Sequence, residues 1–147
     1  MSMRQKVHPK IYSKKVKCNV ANLGLLRRFV TNTLKKQQQL PTELVSLIVL
    51  AVDEVCANRI IHSSHCNEQD AIEVKVSTDK EKAGILIEIK DRGDRFDISS
   101  YNAPPINEVV SNRQNGGMGL ILVKKIMDHI QVEREGDITI YRLFKQV

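Results

Sequence analysis

Ala71 to Thr78 (AIEVKVST) and Gly84 to Lys90 (GILIEIK) alternate apolar and polar residues almost one for one, with Asp79 to Lys82 as the turn between them. A period of two sends successive side chains to opposite faces, so the two runs predict an antiparallel hairpin with one face buried and the other wetted. Such a hairpin cannot cover its own apolar face. It needs a second layer, and the rest of the chain must supply both that layer and the remaining strands.

The second layer is legible in Leu44 to His65 (LVSLIVLAVDEVCANRIIHSSH), where Leu44, Ile48, Ala51, Val52 and Val55 recur at helical spacing. Pro41 marks its boundary, Thr42 is placed to cap it, and Glu43 falls in the first turn, where the helix dipole favours a negative charge. A shorter helix precedes it: Asn19 or Asn22 could cap a segment carrying Leu23, Leu26, Phe29, Val30 and Leu34 on one face, before the polar run KKQQQ. Lys10 to Cys18 alternates roughly, with lysines between Ile11, Val16 and Cys18, and reads as an edge strand. After Asp91-Arg92-Gly93-Asp94-Arg95-Phe96, order is poor from Asp97 to Gln114, apart from one short helical turn at 106–110; so long an irregular segment is usually a functional loop. A third helix, with Leu120, Ile121, Val123, Ile126 and Met127 in register, leads into a closing hairpin of His129–Arg134 and Asp137–Phe144, turned at Glu135-Gly136. The pattern predicts an α+β fold: a two-layer sandwich with a mixed, mostly antiparallel sheet and helices on one face. It does not suit a doubly wound nucleotide fold.

At 147 residues the chain is long enough for one domain with a real core and too short for two. No apolar run is long enough to cross a bilayer, and the basic N-terminus lacks the apolar centre of a signal peptide. Cys18, Cys56 and Cys66 are odd in number and irregularly spaced, which argues against a disulfide framework and for a reducing, cytoplasmic setting. The net charge is +6, with Arg4, Lys6, Lys10, Lys14, Lys15 and Lys17 crowded near the start. Only six residues are aromatic and none interleaves with this basic run, so a base-stacking nucleic-acid platform is not expected. A solvated basic edge fits better, and would suit an acidic protein partner or the phosphates of a nucleotide.

Three short stretches carry chemistry. Glu54 and Asn58 lie four residues apart and so project from one helical face; a carboxylate at the edge of an apolar stripe needs a partner, which could be a magnesium ion, a substrate hydroxyl or a plain salt bridge. Asp91 ends a strand and is followed two residues later by Gly93, an arrangement that could read an exocyclic amine or simply cap a tight turn. Gly116, Gly117 and Gly119 open a helix without the lysine a Walker loop requires, yet leave backbone N–H groups free for an anion, or merely loosen the start of the helix. His62, His65 and Cys66 are close in sequence, but no second cluster completes a zinc site, and a polar helix end accounts for them better.

Taken together, Glu54-Val55-Cys56-Ala57-Asn58 on a helix, Asp91-Arg92-Gly93 after a strand, and Gly117-Met118-Gly119-Leu120 before a helix resemble the N, G1 and G2 boxes of the GHKL ATP-binding fold of gyrase, histidine kinase and MutL ATPases. Within that superfamily the chain is most similar to the bacterial anti-sigma factor serine/threonine kinases, over nearly its whole length from about Lys10. The resemblance implies a single GHKL-type kinase domain over residues 1–147, ordered from about 10 to 145, with residues 97–115 as a lid over ATP. It further implies that Asn58 holds Mg2+, that Glu54 is the general base, that Asp91 accepts from the adenine amine beside Gly93, and that Gly117 and Gly119, with Met118 and Leu120, line the phosphates. Arg113 lies close to where the family's lid brings an arginine to the γ-phosphate. Arg59 stands where relatives often have a small residue, altering the pocket or binding phosphate itself, and Asp94-Arg95 replaces a more flexible continuation.

The activity implied is ATP-dependent phosphorylation of a serine or threonine on an anti-anti-sigma (STAS-type) partner, together with sequestration of a sigma factor. A homodimer is also implied, with Val20 to Leu34 as candidate interface; no direct nucleic-acid or membrane contact is implied. The alternatives are a nucleotide-gated interaction module without phosphotransfer, or a detached histidine-kinase-like ATPase domain.

Overall fold

Every alternating run becomes a strand in the computed structural model, which describes residues 10–37, 39–62, 69–79, 83–93 and 117–147. The strands are β1 (Ile11–Lys17), β2 (Ala71–Asp79), β3 (Gly84–Asp91), β4 (His129–Glu135) and β5 (Ile138–Gln146). They form one sheet in the order β1-β2-β3-β5-β4. Register places Val74 opposite Ile89, Val76 opposite Ile87, and Ile89 and Ile87 in turn opposite Tyr141 and Leu143. All six are fully buried on one face, where the alternation requires them to be. The opposite face carries Glu73, Lys75, Glu88 and Arg142, tied by Lys75–Glu73 at 3.8 Å and Arg142–Glu88 at 3.1 Å. Such ion pairs add little stability, but they keep that face in water.

Three helices cover the apolar face among the described residues: α1 (Leu23–Asn32), α2 (Thr42–His62) and α3 (Gly117–Ile126). Asn19 starts the first, accepting from the Ala21 N–H at 2.9 Å to open a short 3-10 turn over Val20–Asn22. Leu23, Leu26 and Val30 of α1 are buried, and a π-helical turn over Thr33–Gln37 carries Leu34 into the same core. In α2 the buried set is wider than one stripe: Val45, Ile48, Ala51, Val52, Val55, Cys56, Arg59 and Ile60. The helix lies on the sheet and is flanked by both of its neighbours, so more than one side must be apolar. Val45 takes the buried place expected of Leu44, which is half-exposed, and Thr42 is the first helical residue rather than the cap before it.

The sheet is more uniform than the mixed arrangement anticipated, since every neighbouring pair is antiparallel. Two helices between β1 and β2 turn the chain round, so those strands run oppositely. Strands β3 and β4, with one helix between them among the described residues, run in the parallel sense, but β5 occupies the slot between them and is antiparallel to both. The β4–β5 turn closes on Gly136, whose φ of 61° explains the glycine there. Cys18 corrects a second expectation, for it is disulfide-bonded, with its partner outside the described residues. Its N–H donates to the Asp70 carbonyl at 2.9 Å, so the chain leading into β2 runs directly beside it, a proximity that spacing alone does not reveal. The basic edge appears as β1, with Lys14, Lys15 and Lys17 all exposed.

Candidate functional site

Glu54 and Asn58 sit one turn apart on the C-terminal half of α2, both half-buried. One residue earlier, Asp53 accepts from Arg27 at 2.9 Å, fastening α1 to α2 beside them. Burial, and secondarily the charge of Asp53, hold the Glu54 carboxyl above the ordinary glutamate value. The shift moves a carboxylate toward the range in which it works as a general base. Across from it, α3 begins with Gly117, and Gly119 lies in its first turn. A Cβ on Gly119 would fall 2.0 Å from Glu54 Oε2 and 2.6 Å from its Cδ, so any side chain there must displace the carboxylate. The glycine brings the acid and the start of α3 together. Between Glu54 and Asn58, Cys56 is fully buried, and that burial pushes its thiol far up, leaving it a protonated packing group rather than a nucleophile.

Asp91 closes β3 with its side chain wholly buried. Arg59 grips it through two bonds, Nε to Oδ2 at 2.8 Å and Nη2 to Oδ1 at 2.7 Å. Arg59 also donates from Nη1 to the Tyr141 hydroxyl at 3.0 Å and lies 4.9 Å from that ring's centroid. The Gly93 N–H donates to Asp91 Oδ1 at 2.6 Å, the tight turn that an Asp two residues before a Gly can make. The Gly93 carbonyl in turn accepts from Thr139 Oγ1 at 2.6 Å and from Arg134 Nη1 at 3.2 Å. Asp91 and Thr139 are register partners in β3 and β5, so the two halves of this network are set by sheet pairing.

Residues 16–145 match the histidine kinase-like ATPase domain family. The chain belongs to that family. Among curated relatives, the serine-protein kinase RsbW of Bacillus licheniformis is 27% identical over 95 residues, covering 62% of this chain and 58% of that protein. RsbW of Staphylococcus aureus strain MSSA476 is 30% identical over 95 residues, 62% of this chain and 59% of its own length. RsbW of Bacillus subtilis strain 168 is 22% identical over 130 residues, 86% and 79% respectively. In the first two, then, the match spans under two thirds of the relative. A crystal structure of the RsbU and RsbW domains of Rv1364c from Mycobacterium tuberculosis superposes with a TM-score of 0.61 at 10% identity, covering 93% of this chain and 32% of that one. At that identity the likeness speaks to the fold alone. The anticipated similarity to anti-sigma factor serine kinases is thus met by both the family match and the curated relatives.

Among the described residues, Gly119 is set against Glu54 with Asn58 one turn further along α2, and Gly93 is bonded to Asp91, which Arg59, the residue after Asn58, holds in turn. Leu120 is buried in the core rather than turned outward. Arg113, the side chains of Met118 and His62, His65, Cys66 and the anticipated lid at 97–115 lie outside the described residues. No three His, Cys, Asp or Glu residues converge on a metal position among those described. The Asn58 and Glu54 oxygens do suit magnesium, a hard ion that keeps several waters and takes much of its coordination from substrate phosphates. Sequence reasoning marked Arg59 as unusual but missed its partner, and missed Thr139, Tyr141 and Arg134 entirely. The available signal was an arginine inside an apolar helix, which when buried requires an acid on a facing element. No helix among the described residues is long and apolar enough to cross a membrane.

Proposed function

We propose that this chain is an Mg2+-dependent, ATP-binding protein serine/threonine kinase of anti-sigma type. It would act in the cytoplasm on an anti-anti-sigma (STAS-type) protein and would hold a sigma factor when that protein is absent. The observation that carries the reading is Glu54: a carboxylate with raised proton affinity, held against the first turn of α3 with Asn58 one turn further along α2. Phosphoryl transfer asks mainly for positioning and charge neutralisation, and this short set of groups can meet that demand. Glu54 would take the proton of the incoming serine or threonine hydroxyl. Asn58 would hold the magnesium ion, which when bound supplies charge neutralisation on the transferred group. Gly117, Gly119 and the N–H groups at the start of α3 would receive phosphate oxygens. The names of the curated relatives favour the serine kinase assignment, and the exposed Val20 of the 3-10 turn and Leu25 of α1 favour Val20–Leu34 as a dimer contact. The whole chain would then be one kinase domain, with 97–115 as its lid and Arg113 reaching the γ-phosphate.

The test begins with calorimetric titration by Mg·ADP and Mg·ATP, run beside Asn58→Ala. Micromolar, magnesium-dependent binding that fails in the variant is the expected result. Transfer of labelled phosphate to a STAS-domain partner should then fall by ~10²–10⁴-fold in Glu54→Gln, with nucleotide affinity retained. Binding without transfer in the intact protein, even with its true partner, would leave a nucleotide-gated interaction module instead.

A further inference from the structure

We propose that Arg59 withdraws Asp91 from base recognition, so that this chain holds a purine nucleotide without reading the exocyclic amine at C6. The inference rests on the nucleotide-binding reading above and specifies how that site treats its ligand. An ionised carboxylate offers about four acceptor positions. In Asp91 three are taken: Oδ1 accepts from Arg59 Nη2 at 2.7 Å and from the Gly93 N–H at 2.6 Å, and Oδ2 accepts from Arg59 Nε at 2.8 Å. The side chain that would have to present the fourth is completely covered. An incoming amine must therefore compete with a planar, charged, two-pronged donor already in place, and a neutral amine is the weaker donor.

Nor is Arg59 readily moved aside. Its side chain is 4% exposed, and it is held on a second side by the Tyr141 hydroxyl and ring. Swinging it away would leave a guanidinium buried without its acid. The neighbouring polar groups are spoken for in the same way, since Thr139 Oγ1 and Arg134 Nη1 both donate to the Gly93 carbonyl. A pocket whose polar groups satisfy one another selects by shape and by the anchored phosphates; strong rejection of a ligand lacking one group requires a protein partner left unpaired by its loss. Here removal of the amine strands nothing. Arg59 is thus a specificity-determining residue, acting through the acid it holds.

The experiment compares calorimetric affinities of the intact protein for Mg·ATP and for the Mg2+ complex of purine riboside 5′-triphosphate, which differs only in lacking the amine. Affinities within ~3-fold are expected, whereas a site that reads the amine through a charged acceptor would show a loss of ~10-fold or more. Such a loss overturns the inference. Arg59→Lys keeps the charge but cannot span both oxygens, so it frees an acceptor, and the preference for ATP should rise to ~10-fold. A preference that stays flat in Arg59→Lys overturns the assignment to Arg59. Failure of both triphosphates to bind the intact protein overturns this inference together with the nucleotide reading, and is distinct from loss of the unaminated analogue alone.

Discussion

The surroundings of Asp91 and those of Glu54 are built on opposite plans. Around Asp91, buried polar groups from α2, β3 and β5 are bonded to one another and joined by the exposed Arg134 of β4: Arg59, Tyr141, Gly93, Thr139 and Arg134 each have a named partner. Around Glu54 and Asn58 the side chains are half-buried, and the contact that defines the geometry is steric, the missing Cβ of Gly119. The first is closed on itself and derives its rigidity from a buried charge pair. The second leaves its acid under-solvated and available. Stability should therefore concentrate around Asp91 and chemistry around Glu54, and mutations can separate the two.

The largest effect should come from unpairing the closed network around Asp91. Asp91→Ala strands a buried guanidinium and should cost ~3–5 kcal/mol in urea unfolding, whereas Arg59→Met combined with Asp91→Leu should cost less than Asp91→Ala alone. A double variant as unstable as the single one would mean the pair itself is a net source of stability.

Next, Gly119→Ala strikes the surroundings of Glu54. Alanine is the better helix former by ~1 kcal/mol, so the melting temperature should hold or rise. Glu54 must nevertheless swing away from a Cβ only 2.0 Å from its Oε2. Phosphotransfer should fall tenfold or more, ~1.4 kcal/mol in the barrier, and unchanged transfer would break the link drawn between the two residues.

Smaller still is Arg27→Ala, which removes a half-exposed ion pair to Asp53 and should lower stability by less than ~1 kcal/mol. It also leaves the Asp53 charge uncompensated beside Glu54, so any change in the pH dependence of transfer should be toward higher pH.

The least effect is on stability versus pH. Because the folded state raises the Glu54 pKa, it binds that proton more tightly than the unfolded chain does. The contribution is favourable below the ordinary glutamate value and is lost as pH rises through the raised one. Glu54→Gln should flatten that slope, with solvent screening keeping the difference small; an unchanged pH dependence would show that Glu54 carries no such shift.

The same contrast explains what could be read without coordinates. Strands β2 and β3 are visible because alternation is local, and the helices because Leu23, Leu26 and Val30, or Ile48, Val52 and Val55, repeat within a few turns. Glu54 and Asn58 share one helix, so their placement on one face follows from spacing alone. The Arg59–Asp91 pair spans 32 residues and the Arg59–Tyr141 bond 82, and no local pattern encodes either. The contact between Gly119 and Glu54 was hidden for a similar reason, since it depends on how α3 docks against α2. The antiparallel sense of β3 and β5 was equally out of reach, because it depends on which strand fills the slot left by a crossover.

That slot has a consequence for how the chain comes off the ribosome. Strand β5 is the last of the five in chain order, yet it lies between β3 and β4. Until it emerges, β3 has an unpaired edge and β4 has no neighbour at all, so the nascent sheet stops at three strands. Open edges of this kind invite pairing with other chains, and distant contacts form slowly. Thr139 and Tyr141, which buttress Gly93 and Arg59, arrive on that same strand. Glu54, Asn58, Asp91 and Gly119 are all synthesised before the segment that braces the surroundings of Asp91. During synthesis the network around Asp91 is therefore completed only when β5 arrives.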